Sequence, residues 1–419
     1  MADSGAGRGA SFTLPWRPEY SSCSMPVIKV KAGHVQPVWA GHPWVYAQAV
    51  EFLEGGATAG DEVLVQDAKG NTLGRGLYSP QSAIAVRLYT RDEHTPLDGA
   101  LISRRIEQAM ERRAAVGLPS LGTNAYRLVH AEGDDLPGLV VDRFGDALVV
   151  QLSTIGMKRR EGVILDVLQR LMAPHAIIDR TPKRTAASEG FEAGSGVVRG
   201  DPVTGLSFEE HGLKFEIPLE LGQKTGFYLD QRSLRGRLAE LAPGRRVLDA
   251  FCYVGALSLA TARGGASQVR AVDSSAAAIE VAARCAALNQ LADPIAFEVG
   301  DAFETLKRAA HDGGYDLVIA DPPKLAKTRG FARRALSTMR RLAAASLRAT
   351  APGGLCVLCS CSAALGFPEL IRAAALGGRD ARVRPLVLER WSQGPDHPVP
   401  AAFPEGQYLS TLILQALPL

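Results

Sequence analysis

The sequence predicts an α/β protein: a C-terminal doubly wound, mostly parallel sheet, preceded by a small β module and a small α+β unit. Three observations carry this. From Arg245 onward, strand-like runs alternate with alanine-rich helical stretches, the arithmetic of a parallel sheet with crossover helices. Acids stand repeatedly at the ends of those runs, at Asp249, Asp273, Asp301 and Asp321. Upstream, from Pro26 to about Pro96, short β-like runs are broken by Gly-rich turns. With 419 residues and about 150 per domain as a soft guide, two or three domains are expected.

Taken in order, residues 1–25 read as a mobile leader. They carry Asp3 and Glu19 and lack an apolar centre, which argues against a secretory signal. Residues 26–96 form the β module, with strands at Val27–Val30, Glu62–Gln66 and Ala83–Tyr89. Residues 97–205 form the α+β unit. Its first helix spans Leu97–Val116, where Leu101, Ile102, Ile106 and Met110 recur at roughly helical spacing. Strands Gly138–Phe144 and Ala147–Leu152 flank the hairpin pair Gly145-Asp146, a helix covers Lys158–Met172, and Arg184–Gly205 reads as a linker. Residues 206–419 hold a strand at Leu213–Pro218 and then Arg246–Phe251, Gln268–Asp273, Ile295–Gly300, Tyr315–Asp321, Gly354–Cys361 and Tyr408–Leu414.

Composition narrows the function. At 46% hydrophobic and 22% charged residues the chain matches a soluble globular protein, and no window is apolar enough to span a membrane. A net charge of +3 does not announce nucleic acid, so such a partner must be read from local patches. Six cysteines, three of them at Cys356, Cys359 and Cys361, are too few and too clustered for a disulfide framework; a reducing cytoplasm is expected.

In open α/β sheets ligands sit beyond the carboxyl ends of the strands. The first such end, Val247 through Ala256, is a strand, an acid and a turn entering a helix, and resembles the first motif of class I S-adenosylmethionine methyltransferases. Only Gly255 remains of the usual glycines. A pyrophosphate would want several; a sulfonium methionine carries no phosphate and needs fewer. Asp273, 24 residues after Asp249, can accept hydrogen bonds from ribose hydroxyls, and Asp301 can receive an adenine amine. Each acid alone could equally be a helix N-cap; together they read as a site for S-adenosyl-L-methionine.

The reactive end is Asp321-Pro322-Pro323-Lys324, where consecutive prolines fix a strand-end acid in one pose. Enzymes that methylate exocyclic amines usually place an aromatic residue next; Lys324 stands here instead. Carbon 5 of cytosine becomes nucleophilic once a thiolate adds at carbon 6, which calls for a cysteine at a strand end. Period-2 alternation puts Cys359 and Cys361 on one face, so spacing does not choose between them. Cys252, Cys285 and Cys356 read as inert hydrophobes, and one strand cannot aim three thiols at one ion, so no metal site is expected.

Together with His42-Pro43-Trp44-Val45-Tyr46, Asp135 through Gly138, Lys224 through Arg232, Ser360-Cys361-Ser362, Asp396-His397-Pro398 and Pro404-Glu405-Gly406, these motifs resemble bacterial ribosomal RNA large-subunit methyltransferases of the RlmI type, which make 5-methylcytosine. The resemblance runs from about Val27 to the C-terminus. It implies a PUA-like RNA-binding barrel at residues 26–96 and a Rossmann-like methyltransferase fold ending in an antiparallel strand. It also implies Cys361 as nucleophile, Asp321 as the group that positions and protonates the base, and a cofactor-covering segment containing Phe227, Tyr228, Asp230 and Gln231. His397 is a weaker candidate for substrate contact or proton removal. Between Lys324 and Arg348 there are eight basic residues and no acid. Such a run, with Lys324, Lys327 and Arg329 nearest the prolines, suits RNA phosphates, and its alternative is a solvated helix face. A ring carbon must be exposed to be methylated, so naked or partly assembled RNA is the expected substrate. The alternatives are methylation of another base position or a small molecule, and an idle fold serving as an RNA-binding assembly factor. Oligomeric state stays open, a homodimer included.

Overall fold

The structure, a computed structural model, describes residues 25–221, 225–325, 332–362 and 365–419. The leader, apart from Met25, lies outside them, as do Lys224, Lys327 and Arg329.

Six strands, β1 (Val27–Val30), β2 (Trp44–Tyr46), β3 (Val50–Glu54), β4 (Glu62–Gln66), β5 (Thr72–Tyr78) and β6 (Ile84–Thr90), make one sheet in the order β2-β6-β5-β4-β1-β3. Their alternate residues Ile28, Val30, Val63, Val65 and Val86 fill its core. A short helix, α1 (Val35–Trp39), interrupts it.

Next comes α2 (Gly99–Ala115), started by Asp98, whose side chain accepts from the Leu101 amide. A five-stranded sheet follows, made of β7 (Ala125–His130), β8 (Leu139–Phe144), β9 (Ala147–Leu152), β10 (Ala176–Asp179) and β11 (Gly196–Gly200), in reverse chain order. Gly145 turns the β8–β9 hairpin at φ +57°, as its glycine predicts. Two expectations fail here. The single helix at Lys158–Met172 is α3 (Ile155–Lys158) and α4 (Glu161–Met172), broken where Arg160 reaches back to Leu97 and Glu62. The linker at Arg184–Gly205 holds most of α5 (Lys183–Glu189) and all of β11, which pairs with β10. Gly190 ends α5 in the left-handed region, and Gly196 and Gly200 bound the edge strand at positive φ, a role that composition alone does not show.

A hairpin of β12 (Gly205–Glu210) and β13 (Leu213–Pro218) leads to α6 (Arg232–Leu241). The main sheet then alternates β14 (Arg246–Asp249), α7 (Ala256–Arg263), β15 (Gln268–Asp273), α8 (Ala276–Leu288), β16 (Ile295–Val299), α9 (Ala302–His311), β17 (Tyr315–Ala320), α10 (Ala332–Ala349), β18 (Thr350–Ser360), α11 (Phe367–Ala381), β19 (Val383–Trp391) and β20 (Ser410–Pro418). The spatial order is β16-β15-β14-β17-β18-β20-β19. The first five strands are parallel, and β20 runs antiparallel between β18 and β19. Apolar layers cover both faces, Val247 and Cys359 on one and Leu248 and Cys356 on the other. The strand order reverses between β14 and β17, which opens a crevice past their carboxyl ends.

Candidate active site

A cavity of about 720 Å³ occupies that crevice. At one end lies the β14–α7 turn. Tyr253 and Gly255 both take left-handed backbone there, at φ +50° and +78°. A Cβ on Gly255 would come within 3.0 Å of the Ala282 Cβ, so this glycine faces α8 and shapes the turn rather than the cavity wall. Asp273, at the end of β15, lines the cavity with its carboxylate fixed by the amides of Tyr253 and Ser275, each at 2.9 Å. Asp301 also lines it while capping α9 through the Glu304 amide. Asp249 is different. It is fully buried under the turn, hydrogen-bonded by the Ser258 hydroxyl at 2.7 Å, and is not among the lining residues. Burial pushes its carboxyl up to about 7.

At the other end Asp321, Pro322, Pro323 and Lys324 leave β17 and line the cavity. Cys361 follows the last residue of β18 and joins them, half-buried. Strand alternation left Cys359 as its equal, but Cys359 is sealed inside the sheet, where the Thr411 hydroxyl donates to its sulfur at 3.3 Å and burial pushes its thiol well up. Cys285 and Cys356 are buried too, and the same desolvation raises their thiols. Cys252 is 5% exposed at the cavity edge, with its thiol also raised. A thiol kept neutral by an apolar surround is a poor nucleophile; among the described cysteines Cys361 is the one that is not buried.

Residues 227–231 close the cavity from the side. Arg235 organises them: its guanidinium pairs with buried Glu210, donates to the Tyr228 carbonyl at 3.0 Å and lies 4.7 Å over the Phe227 ring. Phe227, Tyr228 and Gln231 face the cavity, and Gln231 Nε2 donates to Asp321 Oδ2 at 2.8 Å. Burial, helped by the nearby Tyr253, Asp321 and Cys361, pushes the Tyr228 phenol up. Asp230 instead turns inward and accepts from the Tyr408 hydroxyl at 2.7 Å. Neither Arg235 nor the Gln231–Asp321 bond was foreseen, because the partners stand 25 and 90 residues apart with no shared local pattern.

Two expectations are corrected. His397 is buried away from the lining, with Nδ1 3.1 Å from Asp396 and its ring 5.0 Å from that of His130. Asp396 in turn binds Arg232 at 2.8 Å and the Arg127 amide at 2.9 Å, so the Asp396-His397 motif forms a joint between the central sheet and the site segment. The basic run divides as well. Lys324 is at the cavity, and Arg333 and Arg334 are exposed at the start of α10, but Arg340 is held twice by Asp380 at 2.7 Å and Arg341 stacks on Phe303. Arg348 donates to the Asp380 carbonyl. The second half of α10 therefore faces α9 and α11, beside a groove of about 900 Å³ at the amino ends of β17 and β18. Among the described residues no group of three or more His, Cys, Asp or Glu side chains could hold a metal ion.

A sheet of this order, its crevice carrying an acid after the second strand and a glycine-poor turn after the first, defines a class I methyltransferase. Residues 164–403 match the S-adenosylmethionine-dependent methyltransferase family, and 28–91 match the PUA-like domain. The methyltransferase match begins inside α4, in the middle of the central unit. The solved structure SMU.776, in complex with SAH, superposes with a TM-score of 0.81 at 20% identity, covering 93% of this chain and 99% of that one, and shares the fold. Ribosomal RNA large subunit methyltransferase I of Shewanella denitrificans is 34% identical over 92% of this chain and 98% of its own length. The Escherichia coli O139:H28 protein of the same name is 36% identical over 88% and 93%. The chain belongs to the ribosomal RNA large subunit methyltransferase I family, and its cofactor is S-adenosylmethionine.

Proposed function

We propose that this enzyme methylates carbon 5 of a cytosine in large-subunit ribosomal RNA through a covalent bond between Cys361 and carbon 6. The names of its relatives and its PUA-like barrel support the substrate class. One observation carries the chemistry: Cys361 and Asp321 leave neighbouring parallel strands into the same cavity, while the other described thiols are desolvated. The cytosine-C5 reaction needs this pairing of a nucleophilic sulfur with an acid beside the ring.

The residues divide the work. Asp273 and Asp301 would hold the ribose and adenine ends of the donor, in the part of the cavity bounded by the β14–α7 turn and Tyr228. When bound, S-adenosylmethionine supplies an electrophilic methyl group that the activated carbon 5 accepts. The Cys361 thiolate adds to carbon 6, the ring electrons shift toward nitrogen 3, and Asp321 gives that nitrogen a proton. After methylation a solvent water takes the carbon 5 proton, the sulfur–carbon bond breaks to return the thiolate, and the nitrogen 3 proton returns to Asp321. The base must be turned out of any stack to enter, so protein-free or partly assembled RNA is the substrate.

Cys361→Ala is expected to lose methyl transfer while binding S-adenosylmethionine as the native chain does in calorimetry. RNA containing 5-fluorocytosine, whose carbon 5 cannot shed a proton, should trap the native enzyme as an adduct stable in denaturing gels. Turnover by Cys361→Ala, or no adduct, removes the covalent mechanism.

A further inference from the structure

The segment 227–231 was expected to cover the cofactor, yet Gln231 turns its amide onto the acid of the reactive end. Gln231 is 5% exposed, and its Nε2 sits 2.8 Å from Asp321 Oδ2, with both residues on the cavity wall that Cys361 shares. An amide N–H can only donate, so the oxygen it meets must accept. A carboxyl group whose Oδ2 accepts from an amide carries its proton, when it has one, on Oδ1. The amide therefore decides which oxygen is acidic.

We propose that Gln231 is a positioning residue for Asp321: its amide fixes the carboxyl plane, assigns the transferable proton to Oδ1 and stabilises the carboxylate left behind. The inference rests on the cytosine reading above. As the Cys361 sulfur bonds to carbon 6, the Asp321 O–H bond breaks and the nitrogen 3–H bond forms, which leaves a negative carboxyl group. A donor already aimed at that group answers the charge where it develops, with no reorganisation. The geometry behind Gln231 is equally fixed. It opens into α6, where Arg232 is locked to Asp396 at 2.8 Å, and its neighbour Asp230 is held by Tyr408 and, through its carbonyl, by the Gly394 amide at 2.8 Å. A glutamine held on both flanks is suited to orienting another side chain. Among the described residues the ionisable groups near Asp321 include Tyr228 on the same segment as Gln231, Asp249 from β14, Cys359 from β18, Cys361 just after it, and Lys324 on its own loop. Four of these are acids and one is a base, so the negative charge left on Asp321 gains from the amide donor.

The test compares Gln231→Ala and Gln231→Asn with the native chain on a protein-free large-subunit ribosomal RNA transcript. Three quantities are read: kcat across pH, KM for RNA and S-adenosylmethionine affinity by calorimetry. Removing a donor to a carboxylate raises its pKa. For Gln231→Ala, kcat should fall roughly 10- to 100-fold, the size of a hydrogen bond to a charged group. The limb of the pH profile set by Asp321 should move up by roughly one pH unit, while donor affinity stays within about threefold. Circular dichroism and the calorimetric isotherm itself report that the variant is folded. Gln231→Asn, with a shorter arm, should not restore either kcat or the limb. If donor affinity falls at least tenfold while kcat at saturating donor and the pH limb hold, Gln231 is a cofactor ligand and the proposal is overturned. Unchanged kcat and limb overturn it equally. The 5-fluorocytosine adduct separates the two levels: a native enzyme that traps RNA while Gln231→Ala leaves the limb in place fails this inference alone, whereas a native enzyme that does not trap fails the reading beneath it.

Discussion

Asp249 shows how one buried carboxyl group sets a pH dependence. It lies at the foot of the cofactor turn with no exposure, and desolvation is the main cause of its raised pKa of about 7, above the ordinary 3.8. The sign follows directly. Between about pH 4 and 7 the folded chain keeps a proton that the unfolded chain releases, so stability is greatest below that window and falls as pH rises through it. Asp249→Asn removes the titration. Its stability relative to the native chain should therefore be higher at pH 8 than at pH 5, by on the order of 1–3 kcal/mol, read from urea unfolding at both values. An equal difference at the two pH values would mean that Asp249 is ionised throughout. Cys359 illustrates the opposite use of burial: the same desolvation raises its thiol and keeps it neutral inside the sheet.

At the scale of the element, the β14–α7 turn depends on backbone geometry. Gly255 combines φ +78° with a Cβ position 3.0 Å from Ala282, so Gly255→Val should lose about 1–3 kcal/mol and bind S-adenosylmethionine more weakly. Thermal unfolding and calorimetry check this, and an unchanged midpoint would show that the turn adapts. The elements most legible in the sequence were those whose pattern follows from burial. β14, β17 and the second half of β18 are apolar runs buried on both faces, and β15 is buried at alternate positions; their ends place Asp273, Asp321 and Cys361 without further information. β19 was missed because it is an edge strand carrying Arg384, Pro385, Glu389 and Arg390, and an edge needs neither alternation nor a full set of backbone donors. The joint at His397 was missed for another reason: a buried histidine beside an aspartate has one local signature, whether it meets a substrate or an arginine from a distant helix.

At the scale of the whole molecule, the three larger sheets are tied by buried ion pairs. Arg160 and Arg75 meet on Glu62 between the first sheet and the central unit, at 2.9 and 2.6 Å. Arg87 reaches Glu189 at 3.0 Å. Arg113 pairs with Asp134 and donates to the Asp396 carbonyl at 2.7 Å, while Arg232 takes the Asp396 carboxylate. Several cations share few anions in these clusters, so removing an anion leaves charge buried without compensation. Asp396→Ala should cost about 3–5 kcal/mol and lower the calorimetric midpoint, whereas Arg237→Ala, at the partly exposed pair with Glu389, should cost less than about 1 kcal/mol. Similar losses from the two would mean that the Asp396 cluster holds little of the assembly together.

The Asp396 joint has one further consequence. Its arginines come from both sides, Arg113 and the Arg127 amide from the central unit and Arg232 from the helix that begins beside Gln231. With Glu62 bolted to Arg160 farther forward, the offset between the N-terminal barrel and the Cys361 sulfur is set when the chain folds. The barrel and the cavity are thus held at one spacing by charge sealed inside the joints between them.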